Sequence, residues 1–217
     1  MPEPRPLISD TRRQLEIAAV VLTAACRFLP INWLEWKLPF IVVATVGWTT
    51  YVLLRRKRMP GILQYWGFRA DNFREVLKIV LPFGIISVVT FVLLGIYLDT
   101  INLTWHIVPV LLLYPVWGTI QQFLVIGLVA GNLKDLSAST LPKPVTILLP
   151  ALLFGLIHYP FNWLIVGTFL LAGFYGYVYW QSRNLYVLGL FHGWLGGLFF
   201  YTVVGRDPFV EVFGKFF

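Results

Sequence analysis

LYVLGLFHGWLGGLFFYTVV, Leu185 to Val204, is a run of 20 residues without one charged side chain. At about 1.5 Å per residue a helix of that length reaches about 30 Å, the thickness of a bilayer's hydrocarbon core, so the run is predicted to cross a membrane. Comparable runs fill most of the remaining chain: Leu15–Leu29, Leu38–Leu54, Val76–Leu98, Trp105–Ala130, Val145–Ile157 and Trp163–Trp180. Together they predict an all-α protein, a polytopic transmembrane helical bundle of about seven spans, with residues 1–217 forming a single membrane domain. The first and fifth runs are short and the fourth is long, so tilting, kinking or incomplete crossing is expected of these three.

Composition agrees with that reading. Of 217 residues, 58% are hydrophobic and 12% charged, and the mean hydropathy is +0.76, far above an ordinary soluble domain. The net charge of +7 would point to nucleic acid in a soluble protein. Here the basic residues flank apolar runs, where they attract lipid headgroups, and no nucleic-acid partner is expected. The lone Cys26 offers neither an internal disulfide nor a cysteine pair for zinc. Met1 to Asp10 lacks the pattern of a removable signal peptide, so the first run is expected to stay.

Cytoplasmic loops collect Lys and Arg, which gives an independent check on the spans. With seven spans and the N-terminus inside, only Arg27, Lys37, Arg206 and Lys215 fall outside. The other thirteen of the 17 basic residues fall inside, most densely between Arg55 and Lys78. The asymmetry predicts a cytoplasmic N-terminus.

Polar groups at membrane depth are candidates for function because they are costly to place there. All ten acids fall in loops or near span ends, which leaves Gln121 and Gln122 in the fourth run, His158 at the end of the fifth and His192 in the seventh. Neighbouring glutamines point about 100° apart, so only one of them can face a given helix. Two histidines and a glutamine pair on three helices suggest one convergent polar site. His106 reads as an interfacial residue. Gly189, Gly193 and Gly197, and likewise Gly127 and Gly131, have the spacing of close helix packing.

At these positions the sequence resembles the CPBP family of CAAX prenyl endopeptidases and bacteriocin-processing proteins, also called Abi. The family pattern is Glu-Glu-x-x-x-Arg, Phe-x-x-x-His and His-x-x-x-Asn on three membrane helices. Here the second motif is intact from Phe154 to His158. The third keeps His192 with Gly196 in place of Asn, and the first reads Gln121, Gln122 and Ile126. The resemblance covers residues 66–204. It implies peptide-bond hydrolysis at the membrane by an intramembrane endopeptidase, in the plasma membrane of a prokaryote.

It further implies that His158, His192, Gln121 and Gln122 occupy the catalytic positions and that Phe154 and Gly196 line the substrate. The partners it implies are the bilayer and a membrane peptide or protein, with prenylated peptides one option. In the family the first glutamate activates water while the histidines position that water or stabilise the oxyanion; an older view makes these groups metal ligands. A glutamine amide does neither. No cofactor is expected, since two imidazoles without a carboxylate make a poor zinc site. The rival to an active endopeptidase is a non-catalytic relative that binds membrane helices or lipidated peptides. A small transporter would be expected to carry an intramembrane charge or broken helices, and neither is evident.

Overall fold

The computed structural model describes residues 8–26, 37–137 and 141–214. Arg5, Arg27 and Lys215, three of the basic residues used to orient the chain, lie outside them. Every regular element among the described residues is helical. They are α1 (Asp10–Cys26), α2 (Lys37–Arg58), α3 (Ile62–Trp66), α4 (Phe73–Leu98), α5 (Ile107–Asp135), α6 (Lys143–Leu156), α7 (Asn162–Gln181), α8 (Leu185–Val204) and α9 (Pro208–Phe213). Two helices contain π-helical stretches, Phe123–Ala130 within α5 and Phe200–Val204 at the end of α8.

Five helices are long and apolar enough to span a bilayer: α2 from Leu38, α4, α5, α7 and α8. The expected count of about seven is not confirmed, because α1 has 17 residues with a charged first half and α6 only 14. In α4, residues Ile79, Leu81, Ile85, Ile86, Val89, Val92, Leu93 and Ile96 are all exposed. Water would penalise an apolar surface of that extent, whereas lipid solvates it.

The chain forms two compact units interleaved in sequence, Met1–Ala70 with Phe123–Leu185, and Asp71–Gln122 with Tyr186–Phe217. In the first unit, Trp66, Phe123, Ile126, Phe154, Tyr175 and Tyr179 form the core. A knot of charged groups closes one of its ends. Asp135 accepts hydrogen bonds from Tyr65 Oη and Arg183 Nη2, each at 2.5 Å, while Arg13 donates to Tyr65 and, at 3.3 Å, to Asn132 Oδ1. Asn132 Nδ2 donates in turn to Glu16 at 2.7 Å, and Tyr51 donates to the other oxygen of Glu16. The start of α1, the short α3, the end of α5 and the turn after α7 therefore share one end of this unit. Desolvation of these ions is offset only because each has a partner of opposite charge or a hydrogen-bond donor.

In the second unit the glycines of α8 let α5 approach to backbone contact. A Cβ on Gly193 would lie 2.3 Å from Pro115 N, and one on Gly189 would lie 2.1 Å from Thr119 Oγ1 and 2.5 Å from its Cα. Thr100 Oγ1 donates to the Thr202 carbonyl at 2.7 Å, which ties the segment after α4 to α8. Asp207 caps α9 by accepting from the backbone N–H groups of Phe209 and Val210. Burial raises its carboxyl, but hydrogen bonds from Thr104, His106, Tyr201 and Val210 outweigh that and hold it at about 2. His106 stacks on Phe209 with ring centroids 4.6 Å apart, consistent with a structural place at the end of the helices.

Candidate functional site

Within the second unit the structure brings together two of the residues singled out from sequence. Gln122 Nε2 lies 2.8 Å from His192 Nδ1, across from the last α-helical turn of α5 before its π segment. Gln122 is fully buried and His192 is 6% exposed. An amide nitrogen can only donate, so with Nε2 toward the ring His192 Nδ1 is the acceptor. In the neutral imidazole the proton then sits on Nε2. Gln122 Oε1 is buried without a hydrogen-bond partner. Gln121, the neighbouring residue, is only partly buried and takes no part in this bond.

Room for the imidazole comes from Gly118, which sequence reasoning missed. A Cβ there would meet His192 Cδ2 at 2.9 Å, Gly193 N at 2.8 Å and the Gly189 carbonyl at 2.6 Å. The available signal was its position one turn before Gln122, which puts both on one face of α5. At Gly196 an added Cβ would meet only the Tyr114 ring, at 3.8 Å or more. Space therefore exists where the family pattern has asparagine.

His158 and Phe154 belong to the first unit. His158 follows the end of α6 and its Nδ1 lies 2.7 Å from the Phe154 carbonyl, with Thr168 Oγ1 at 3.2 Å. A carbonyl only accepts, so Nδ1 carries a proton, and in the neutral imidazole Nε2 then carries the lone pair. In their neutral forms the two histidines thus take opposite tautomers. Phe154 is fully buried and its ring meets the imidazole edge-to-face at 5.1 Å, fixing the ring plane. Thr168, on α7, was not foreseen; its hydroxyl donates to the Leu164 carbonyl at 2.6 Å, and nothing local in the sequence marks it.

Among the described residues no group of three or more His, Cys, Asp or Glu side chains is placed to hold a metal. The donor set does not fit one either, because both motif carboxylates are neutral amides and His192 Nδ1 already accepts from Gln122.

The long apolar helices, their lipid-suited surface and the buried Gln–His pair define a multi-pass integral membrane protein with a polar site inside its helices. Residues 100–197 match the family model described as Rce1-like, type II CAAX prenyl endopeptidase. That match falls within the 66–204 stretch of the sequence resemblance and contains Gln121, Gln122, Phe154, His158, His192 and Gly196. No match was found among curated proteins or among solved structures.

Proposed function

We propose that this chain has a CAAX-type intramembrane endopeptidase fold whose site binds a membrane peptide without hydrolysing it efficiently. One observation carries the proposal: Gln122 donates to His192. A glutamate at 122 would accept a hydrogen bond from Nδ1–H and leave Nε2 able to act as a base; the amide reverses the bond and makes Nε2–H a hydrogen-bond donor. A donor of that kind holds a peptide carbonyl, which supports binding but does not activate water. The proposal requires no metal. Nitrogen-15 NMR of the imidazoles tests it, since with three histidines single alanine variants assign the signals. The expected result is a His192 proton on Nε2, and a proton on Nδ1 would remove the observation on which the proposal stands.

A second reading, residual hydrolysis with His158 as base, is supported by the lone pair on His158 Nε2. We also propose that the whole chain acts as one domain in a plasma membrane, with about seven segments entering the bilayer and the charged end of the first unit facing the cytoplasm. Arg13, Arg55, Lys134 and Arg183 gather at that end, as loop charge asymmetry requires. A helix of 14 residues such as α6 reaches only about 21 Å, so starting from that end it would stop inside the bilayer and leave His158 at depth. Reporter fusions after Arg58 and at Lys134 are expected on the same, cytoplasmic face; opposite faces would refute the topology.

A further inference from the structure

In the first unit, away from the Gln122–His192 pair, α1 and α2 enclose an open cavity of about 470 Å³ lined by Arg12, Leu15, Ala19, Ala44, Gly47 and Trp48 among others. Its shape follows from the two faces of α1. Arg13 and Val20 turn into the unit, which leaves Leu15, Glu16 and Ala19 on the flank facing α2. Most of the groove is apolar. A Cβ on Gly47 would meet no atom within 4 Å, so its floor is open there.

One end differs. Tyr51 donates to Glu16 across the two helices, which aligns the last turn of α2 with the first turns of α1. That level carries Arg12 on one side and Arg55, Arg56, Lys57 and Arg58 on the other. Glu16, which also lines the groove, offsets one of these charges through Arg55, 3.9 Å from its Oε1, and leaves Arg12, Arg56, Lys57 and Arg58 in excess at this end. From Arg12 to Thr23, both lining the groove, α1 rises about 16 Å. One leaflet of a hydrocarbon core about 30 Å thick is nearly the same length.

We propose that this groove binds an anionic phospholipid, its phosphate at Arg12 and the basic turn of α2 and one acyl chain along Leu15, Ala19, Gly47 and Trp48. Charge complementarity selects the headgroup: clustered Lys and Arg at a span end attract anionic lipid, each to a similar degree. A zwitterionic lipid offers the same chain but no net charge. The inference is independent of whether the chain hydrolyses peptides.

The test is native mass spectrometry of the full chain released from detergent, titrated with phosphatidylglycerol or phosphatidylcholine of identical acyl chains. The wild type is expected to retain phosphatidylglycerol preferentially. Arg12→Gln, an exposed change, should reduce the preference about fivefold. Gly47→Leu fills open space with a better helix former and should remove retention of the lipid, while circular dichroism and thermal unfolding show the fold intact. Weakened retention in either variant supports the site. Equal retention of the two lipids by the wild type overturns it, as does wild-type preference persisting in both variants.

Discussion

Gly193→Ala is expected to prevent stable folding, with a destabilisation of about 3 kcal/mol or more. The methyl group would lie 2.3 Å from Pro115 N and 2.5 Å from both Pro115 Cα and the Tyr114 carbonyl carbon. All three are backbone atoms, so no side chain can rotate aside and the helices must separate. Overpacking that forces side chains off their rotamers and shifts the backbone costs about 1–3 kcal/mol and occasionally more, and a clash confined to backbone atoms lies at the upper end. Displacing α8 from α5 also breaks the contact beside Gly118 that houses His192. In a membrane, where helix association depends on van der Waals packing rather than on exclusion of water, that contact has no substitute.

Gly196→Ala is the control on the same helix. Its methyl would sit 3.8 Å from the Tyr114 ring, and alanine is the better helix former by about 1 kcal/mol. Thermal unfolding of both variants in detergent should show a large loss for Gly193→Ala and little change or a gain for Gly196→Ala. Wild-type stability in Gly193→Ala would mean that α5 and α8 do not meet at backbone distance.

Restoring one glutamate should leave peptide hydrolysis at least 10²-fold below that of a fuller repair. In Gln121→Glu the new carboxylate stands beside Gln122, whose amide still donates to His192 and keeps its proton on Nε2. Loss of a general base alone removes about 10²–10⁴-fold, and a missing oxyanion donor about 10²–10³-fold. These factors do not simply multiply when residues act as a unit.

The informative comparison is Gln121→Glu against the triple variant Gln121→Glu, Gln122→Glu, Gly196→Asn, each first shown to be folded. Space beside Gly196 admits the asparagine. Ile126→Arg, which would complete the family pattern, introduces a charge at a fully buried position and belongs in a fourth variant judged first for stability. Efficient cleavage by Gln121→Glu alone would show that the remaining site is still organised for catalysis.

The helices were legible because hydropathy and length report directly on the bilayer, and α4, α7 and α8 fall close to their expected bounds. Gly189, Gly193 and Gly197 were legible as a packing stripe for the same kind of reason, a period set by helix geometry. Gly118 was not, since one glycine in a helix has many causes and its role depends on where α8 lies. Choosing between Gln121 and Gln122 likewise requires the direction of the neighbouring helix, which local sequence does not contain.

The charged knot of Arg13, Glu16, Asn132, Asp135 and Arg183 was hidden most completely. Each acid looks interfacial at its own position, and only the fold pairs residues more than a hundred positions apart. The spacing of Phe154 and His158 was visible, whereas the hydrogen bond from His158 Nδ1 to the Phe154 carbonyl, which sets the tautomer, was not.

The most direct measurement is single-turnover cleavage of membrane-embedded peptides by the reconstituted wild-type protein, read by mass spectrometry beside a His158→Ala, His192→Ala variant. The account predicts peptides retained and uncut by the wild type, with products no more abundant than in the double variant. Cleavage by the wild type that disappears in the double variant would contradict it, showing that the chemistry runs without an intramembrane carboxylate.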